Sequence, residues 1–364
     1  MLELADIIRR HGPEYLAHYG DHLLPSHRRA LADIEACRTA KLGGHVYLCK
    51  PCQHQQSEYP SCKNRHCPKC QNEPATRWLT RQRRWLLPTP YFLATFTLPA
   101  GLRPLARSHQ KLFYRLLFQT AAAALQKLAL DPRFVGGKIG MMGVLHTWTR
   151  ALTYHPHVHF LIPGGGITAK GRWRYSSKDF FLYAPALSPI FRAKFRDALK
   201  ETPLFTSVPA SVWKQPWVVH CEPAGQGETV LKYFAPYIYR VALSNRRLLQ
   251  LQNDQLTFQY QDRKTHQNRR LTLPALQFLA RFLQHVLPEG FVKVRYYGFL
   301  HPRNRKTVQT LLWALGGDPS QLAPAQQTSG EEETTASSPS PGCPRCGRPM
   351  ILIETLLPEK RGPP

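Results

Sequence analysis

Two histidines that flank a single apolar residue are the first candidates for chemistry in this sequence. His157 and His159 stand on either side of Val158, in an apolar run that ends at the Pro-Gly-Gly-Gly of residues 163–166. Because side chains alternate between the two faces of a strand, residues two apart point the same way. The run therefore predicts a strand that holds two imidazoles side by side, close enough to bind one metal ion. A lone pair of this kind is more often two ordinary core or surface histidines.

A third histidine precedes the pair on a segment that also reads as a strand. Residues 138–149 have strand character, and residues 150–155 fit a connection between two strands. If the two strands form an antiparallel hairpin, His146 lies opposite His157 and His159. Three imidazoles would leave coordination positions open for a substrate oxygen, which is the arrangement of a catalytic metal site.

Two tyrosines offer a nucleophile. Tyr233 and Tyr237 follow Gly227, where a helix is expected to begin, and residues four apart lie on one face of a helix. Pro236 stands between them, and a proline inside a helix removes a hydrogen bond and kinks it, so the two hydroxyls need not superpose. Without the histidines, these residues would be interpreted as core tyrosines of an amphipathic helix.

Hydrophobic periodicity predicts the elements that position these residues. It indicates an α+β domain, in which helices pack on an antiparallel sheet. Strands are expected at residues 91–98, 138–149, 157–162, 217–220 and 292–300. Helices are expected at residues 75–86, 104–130, 188–202, 272–287 and 303–315.

The chain carries a large excess of positive charge. Its 364 residues include 49 Lys and Arg against 23 Asp and Glu, which gives a formal net charge of +26. The excess is spread over nearly the whole chain, so a polyanion such as a nucleic acid is the expected partner, ahead of a membrane surface. The basic residues that would suit DNA binding best are Arg246, Arg247, Arg303 and Arg305. No apolar run approaches the roughly 20 residues of a membrane-spanning helix, and the first residues are not a signal peptide, so we expect a protein of the bacterial cytoplasm or nucleoid.

The cysteines predict a structural zinc site. Nine are present, and most stand in pairs with two residues between them, a spacing that in a reducing compartment indicates metal rather than disulfides. Fourteen residues separate two such pairs, which are Cys49 with Cys52 and Cys67 with Cys70. Four thiolates would close a tetrahedral Zn²⁺ shell in a zinc ribbon, and a disulfide framework or a redox pair is the alternative.

Further candidate ligands lie inside and after this ribbon. Cys62 and His66 either replace a cysteine of the ribbon or belong to a second ion. Cys343 and Cys346 form half of a zinc site with no second half nearby; we expect them to be idle or to contribute only part of a site, the alternative being that they complete a site elsewhere. Residues 317–341 are rich in Pro, Ser, Thr, Gln and Glu and are expected to be a disordered linker.

Several motifs in a fixed order carry a resemblance to a known family. His146, the His157-Val158-His159 run and the segment Lys232–Tyr237 resemble the HUH endonucleases that use a paired-tyrosine nucleophile. More closely, the chain resembles the rolling-circle transposases of the insertion-sequence 91 type. The N-terminal cysteine cluster shares this likeness, as do residues 145–148, 154–159, 163–166, 240–247 and 296–300. The likeness covers roughly residues 5 to 350.

The resemblance implies a fold, an activity and a partner. The fold would be of the HUH type, with a central antiparallel sheet that carries the histidine pair, the tyrosines on a facing helix, and a small helical and zinc-ribbon domain in front. His146, His157 and His159 would hold Mg²⁺ or Mn²⁺, and imidazole ligands favour Mn²⁺ over a dedicated magnesium cage. Tyr233 and Tyr237 would cut single-stranded DNA of the element ends and the target.

The chemistry of such a site is consistent with phosphodiester transfer. A divalent ion offsets the charge that develops on the phosphate oxygens. A tyrosine with an ordinary pKa of about 10 is protonated at neutral pH, and a nearby ion and a positive surface make its phenolate accessible. Attack on phosphorus gives a 5′-phosphotyrosine link and a 3′-hydroxyl, and two tyrosines permit two successive transfers without ATP.

Two other functions fit the same residues. One is a plasmid rolling-circle replication initiator or relaxase, although no helicase or Walker motif is present, which disfavours the large relaxases. The other is a non-catalytic, zinc-dependent nucleic-acid-binding protein whose tyrosines are structural.

Six consecutive domains are expected from the sequence. They are a helical segment (residues 1–44), a zinc-binding domain (45–87), a catalytic domain (88–250), a basic DNA-binding part (251–316), the linker (317–341) and a tail (342–364).

Overall fold

The computed structural model describes residues 1–70, 72–239, 241–262, 265–317 and 340–359. By compactness the chain divides into two units, each assembled from separate stretches of sequence. The first, which we call the cysteine unit, comprises Met1–Asn72, Leu243–Val286 and Pro324–Pro364. The second, the histidine unit, comprises Glu73–Ala242 and Leu287–Ala323.

The described residues form both helices and strands. The helices are α1 (Leu4–Tyr19), α2 (Pro25–Ala36), α3 (Asn72–Arg83), α4 (Arg103–Ser108), α5 (Gln110–Ala129), α6 (Ala184–Lys200), α7 (Ser211–Lys214), α8 (Gly227–Tyr239), α9 (Ala275–Leu283) and α10 (Arg305–Ala314). The strands are β1 (Gly44–Cys49), β2 (His54–Glu58), β3 (Pro90–Thr97), β4 (Met141–Trp148), β5 (Tyr154–Pro163), β6 (Gly165–Ile167), β7 (Trp173–Tyr175), β8 (Val219–Gln226), β9 (Leu248–Gln252), β10 (Gln255–Gln261), β11 (Asn268–Pro274), β12 (Val294–Tyr297) and β13 (Ile351–Leu356). Within these ranges, no helix combines the length and the apolar character needed to cross a membrane.

The histidine unit is built on a five-stranded antiparallel sheet in the order β12-β4-β5-β3-β8. Most residues of its central strands β3, β4 and β5 are buried, because both faces of the sheet are covered. On one face Phe96 and Phe160 pack against Phe118 of α5 and Phe191 of α6. This face forms the main hydrophobic core of the unit.

The opposite face of the sheet receives α8. Leu93, Met142, Val144 and Leu161 project there, and they pack with three buried residues of the helix, which are Val230, Leu231 and Phe234. A strand alternates its side chains, so the residues of β5 that precede Leu161 on this face are His159 and His157. Packing of apolar residues thus brings α8 over the histidines.

The cysteine unit combines helices with two small antiparallel sheets. One sheet has the order β13-β1-β2, so a strand from the C-terminal tail lies beside the N-terminal hairpin. The other has the order β11-β10-β9, and Phe258 on β10 packs against Phe278 on α9. The amide N–H of Leu4 at the start of α1 donates to the side chain of Asn245 (3.1 Å), which ties the first helix to the later part of the chain.

The predicted α+β class, with helices packed on antiparallel sheets, is confirmed, and several element boundaries differ, two of them for a clear local reason. The long helix expected at residues 104–130 is two helices, because His109 between them leaves the helical region with φ −123° and ψ 49°. The helix expected from residue 272 begins only after Pro274, which cannot donate a ladder hydrogen bond and ends β11. Neither difference changes the arrangement of helices packed on antiparallel sheets.

The two compact units divide the C-terminal part of the chain between them. Residues 251–286 belong to the cysteine unit, whereas residues 287–316 belong to the histidine unit. The reason is that the sheet β11-β10-β9 and α9 pack with the N-terminal helices, while β12 pairs with β4. Most of the expected linker, residues 318–339, lies outside the described residues.

We predict that Phe160→Ala destabilises the protein by about 3–5 kcal/mol, because it empties a fully buried ring site between Phe96 and Phe118. Chemical denaturation measures the free energy of unfolding. Phe180→Ala is the matched control, since its ring is 47% exposed in the same unit and its loss should be small. Equal losses in the two variants would contradict the proposed core.

Candidate active site

Three histidines converge on the sheet face that α8 covers. In the antiparallel β4–β5 hairpin, His146 lies directly opposite His157, and His159 lies opposite Val144 on the next pair of the same face. One ring nitrogen from each of the three histidines lies within 4.8 Å of the others. The hairpin arrangement considered from the sequence is therefore the observed one, and it brings His146 to the pair.

Hydrogen bonds to the backbone and to Thr95 orient two of the rings. Nδ1 of His157 donates to the carbonyl oxygen of His155 (2.7 Å), and Nδ1 of His159 lies 2.9 Å from the hydroxyl of Thr95 on β3. With the proton on Nδ1, each ring carries its lone pair on Nε2, the atom that would bind a metal. The ring centroids of His157 and His159 are 4.8 Å apart.

The third ring, that of His146, is buried and neutral. Burial lowers the pKa of His146 well below its ordinary value, and electrostatic coupling to the His159 and His157 rings and to the Lys293 ammonium lowers it further. Neutral imidazole is the form that binds a metal ion. Nε2 of His146 donates to the backbone carbonyl of Tyr237, so ligation through this nitrogen would replace that hydrogen bond.

A phenol ring lies against two of the three imidazoles. The ring of Tyr237 is nearly parallel to that of His146, with centroids 5.6 Å apart, and its centroid is 4.6 Å from that of His159. Phe234 and Ile238, one on each side of Tyr237 along α8, are buried in the apolar cluster on this face and fix the helix there. Tyr233 is a residue of the same helix, one turn before Tyr237, and α8 continues past Pro236 to Tyr239.

A lysine that no sequence motif marked holds the end of α8. Lys293 donates from Nζ to the backbone carbonyl of Ile238 (2.8 Å), and its ammonium group lies 5.4 Å from the ring centroid of Trp148. A cation at a helix C-terminus interacts favourably with the helix dipole. Its place within the segment with strand character at 292–300 was the available signal, and only the pairing of β12 with β4 gives that signal meaning.

The cysteines form two groups of four rather than the predicted ribbon. Cys67 and Cys70 lie with Cys37 and Cys62, whereas Cys49 and Cys52 lie with Cys343 and Cys346. The expected set of Cys49, Cys52, Cys67 and Cys70 is therefore wrong as a single site, because each of its two pairs lies with a different second pair of cysteines.

The remaining ligand expectations are corrected in the same way. Cys62 completes the group of Cys67 and Cys70, and His66 belongs to neither group among the described residues. Sequence reasoning missed Cys37, which belongs to no closely spaced cysteine pair and directly follows the end of α2. Cys343 and Cys346 do have a second pair nearby in the fold, since they stand beside Cys49 and Cys52.

The four arginines expected to bind DNA are divided between the units. Arg246 and Arg247 precede β9 in the cysteine unit, where the guanidinium of Arg247 donates to the carbonyl of Gln259 (2.9 Å). Arg303 and Arg305 belong to the histidine unit, and both are exposed.

We predict that Thr95→Val weakens binding of a divalent ion at the histidines by about 10- to 100-fold, because it removes the hydroxyl that orients His159. Titration with Mn²⁺, followed by electron paramagnetic resonance, measures the affinity. Thr120→Val is the control, since the hydroxyl of this buried threonine bonds only within α5, to the carbonyl of Leu116. Unchanged affinity in Thr95→Val would contradict the orienting role.

We predict that His146 makes the free energy of unfolding fall as the pH drops below about 6.5. The folded chain keeps His146 neutral, whereas the unfolded chain takes up a proton, so stability is present above pH 6.5 and is lost on acidification. Denaturation without added divalent ion should give His146→Gln a shallower dependence, by up to about 1.4 kcal/mol per pH unit. Identical pH dependence in the two proteins would contradict the buried neutral ring.

Comparison with known proteins assigns both units to one family. A family model described as "Putative transposase" matches residues 140–307, and one described as "Transposase zinc-binding domain" matches residues 7–98. The first range contains the three histidines and both tyrosines, and the second contains the cysteines from Cys37 to Cys70. Cys343 and Cys346 lie outside both.

Two relatives match over most of their length. The chain is 38% identical over 388 aligned residues to "Putative transposase y4qJ" of Sinorhizobium fredii, which covers 100% of this chain and 97% of the relative. It is 30% identical over 289 residues to "Transposase for insertion sequence element IS801" of Pseudomonas savastanoi pv. phaseolicola, which covers 74% of this chain and 68% of the relative. No solved structure matches the chain significantly. The chain thus belongs to the transposases of the insertion-sequence 91 type, which act on DNA and carry an N-terminal zinc-binding domain.

Proposed function

We propose that this transposase cleaves and rejoins single-stranded DNA through a 5′-phosphotyrosine intermediate during rolling-circle-like transposition. Tyr233 and Tyr237 are the proposed nucleophiles, and a divalent ion is held by the three histidines. The observation that carries the proposal is the position of the Tyr237 ring, 4.6 Å from that of His159 and stacked on that of His146. A purely structural tyrosine would not need two imidazoles of a three-histidine cluster beside its ring.

The donor set fits a catalytic divalent ion. His157 presents an Nε2 lone pair, because its Nδ1 donates to the carbonyl of His155. His159 does the same when its Nδ1 donates to the hydroxyl of Thr95, and burial keeps His146 neutral. Three protein ligands leave coordination positions for phosphate oxygens. Imidazole suits transition ions, so we infer Mn²⁺ or Mg²⁺, with Mn²⁺ the stronger activator in vitro. Such an ion supplies charge stabilisation for the phosphate oxygens.

The tyrosines carry the covalent step. The phenolic oxygen loses its proton and attacks phosphorus, a phosphorus–oxygen bond forms, and the bond from phosphorus to the 3′-oxygen breaks. The DNA is left with a 3′-hydroxyl and the protein with a 5′-phosphotyrosine. Because one phosphoester bond replaces another, the reverse attack by a 3′-hydroxyl rejoins a strand without ATP, and two tyrosines allow two such transfers.

The positive charge of the chain supports capture of DNA. The formal net charge of +26 attracts phosphates along the whole molecule. We assign Arg246, Arg247, Arg303 and Arg305 to phosphate contacts, and Arg305 also places its guanidinium 5.8 Å from the ring centroid of Trp85. An aromatic ring beside a guanidinium forms a surface on which an unpaired base stacks, which favours single-stranded DNA as the partner. We place this activity at the bacterial nucleoid, where the DNA lies.

A structural zinc ion in the N-terminal domain completes the proposal. The sulfurs of Cys37 and Cys70 are 3.3 Å apart, and those of Cys62 and Cys70 are 3.6 Å apart. Four cysteines at such distances match a closed tetrahedral shell, in which no position remains for a substrate. We therefore assign Zn²⁺ held by Cys37, Cys62, Cys67 and Cys70 to folding rather than to catalysis.

We predict that the protein forms a covalent adduct with a labelled single-stranded oligonucleotide of the element end in the presence of Mn²⁺. The adduct appears as a shifted band on a denaturing gel. It should be lost with EDTA, in His157→Ala/His159→Ala and in Tyr233→Phe/Tyr237→Phe, because each removes the ion, its ligands or the nucleophiles.

Tyr183→Phe is the control. Tyr183 belongs to the same unit, is 52% exposed and stands apart from the three histidines in the sequence. Its adduct should equal that of the wild type. An adduct that persists in the double tyrosine variant would show that another residue is the nucleophile. DNA binding by the wild type without any adduct would instead indicate a non-catalytic binding protein.

A further inference from the structure

We propose that the two ends of the chain close a second structural zinc site, with Cys49 and Cys52 as one half and Cys343 and Cys346 as the other. The domain model that matches this chain ends at residue 98, so it contains only the first half. The second half lies about 290 residues further along, in the tail. The site would make the C-terminal tail a part of the zinc-binding domain.

The spacing of the sulfurs fits a metal rather than disulfides. Sγ of Cys49 lies 3.5 Å from that of Cys346, and Sγ of Cys52 lies 3.5 Å from that of Cys343 and 3.8 Å from that of Cys346. A tetrahedral ion with Zn–S bonds of about 2.3 Å separates its sulfurs by about 3.8 Å. A disulfide needs about 2.05 Å between sulfurs, so these distances fit zinc and not a bond.

The backbone around each half is folded as a metal-binding turn. Gln53 and Gly347, which directly follow the second cysteine of each pair, both have positive φ, 52° and 72°. The N–H of Gly347 donates to the carbonyl of Cys343 (2.8 Å), and the N–H of Cys343 donates to the carbonyl of Arg348 (2.8 Å). A left-handed conformation at a non-glycine residue such as Gln53 is unfavourable, by roughly 1–3 kcal/mol, so other interactions must hold it.

The same feature recurs at the other group of cysteines. Arg38 follows Cys37 with φ 57°, and Lys63 follows Cys62 with φ 53°. Both of these residues carry long side chains, and a positive φ is uncommon for such residues. The recurrence next to cysteines of both groups indicates that the turns serve the same purpose, which is to aim sulfurs at one point.

The tail has almost no hydrophobic core to hold it. Ile351, Leu352 and Ile353 on β13 are 40%, 51% and 44% exposed. The apolar cluster at the cysteines has three buried members, which are Cys49, Cys343 and Met350. Backbone pairing with β1 is therefore the main protein contact of the strand, from Gly44 opposite Leu356 to Leu48 opposite Ile351. A strand so weakly buried needs a further link, and metal binding supplies folding free energy of this kind.

The two groups of four cysteines predict two zinc ions for each full-length chain, purified without chelator. Metal content measured by inductively coupled plasma mass spectrometry should fall from two to one in Cys343→Ser/Cys346→Ser. Cys221→Ser is the matched control and should retain two, since Cys221 lies on β8 of the histidine unit and belongs to neither group. Two ions in the tail variant would overturn the proposal.

A second measurement on the wild type does not require a variant to fold. Native mass spectrometry should give a mass increase of two zinc ions, and a single ion would overturn the proposal. Alkylation with N-ethylmaleimide, mapped by peptide mass spectrometry, should leave Cys49, Cys52, Cys343 and Cys346 protected until a chelator is added, and then label all four together. Labelling of the tail pair before chelation, with the first pair still protected, would equally refute it. Neither readout depends on DNA cleavage, so failure here leaves the proposed activity intact.

Discussion

The antiparallel pairing of β4 with β5 is the constraint on which the candidate active site depends. It sets His146 opposite His157 and leaves His159 on the next pair of the same face. A slip of one residue would turn the histidines of one strand to the face that carries Phe160, so the alternation of apolar residues that builds the core also fixes the site. The helix that carries the tyrosines is held over that face by Phe234 and Ile238 and by Lys293 at its end. The geometry of the site is thus a consequence of core packing.

Electrostatics divides the molecule into a charged exterior and a neutral site. The chain bears a net charge of +26, but burial keeps the imidazole of His146 uncharged. An uncharged ring can bind a cation, whereas a protonated ring would repel it. The exterior therefore attracts phosphates, and the interior retains the ligand groups that a divalent ion needs. The proposed chemistry requires both at once, because neither positive charge alone nor a tyrosine alone activates a phosphodiester.

Local patterns predicted the elements well and the distant contacts poorly. The alternation of the strand around His157 and His159 is visible within a few residues, and so is the helix that carries Tyr237. The cysteine pairs are equally visible, yet their spacing does not show which pairs meet. Cys49 and Cys52 seemed to belong with Cys67 and Cys70 because those are close in sequence, whereas β13 brings the tail pair to them by pairing with β1. Cys37 belongs to no closely spaced cysteine pair, and Lys293 lies in no motif; both acquire a role only through tertiary contacts.

The central claim is that three imidazoles and a phenol gather one divalent ion for work on DNA. A crystal structure of the protein with Mn²⁺ and a single-stranded oligonucleotide of the element end, with anomalous data for manganese, tests it most directly. The account predicts one manganese peak at bonding distance from a ring nitrogen of His146, His157 and His159, with a phosphate oxygen on the same ion and a tyrosine hydroxyl beside the phosphorus. A manganese ion bound elsewhere, with the three imidazoles empty and the DNA away from α8, would contradict it.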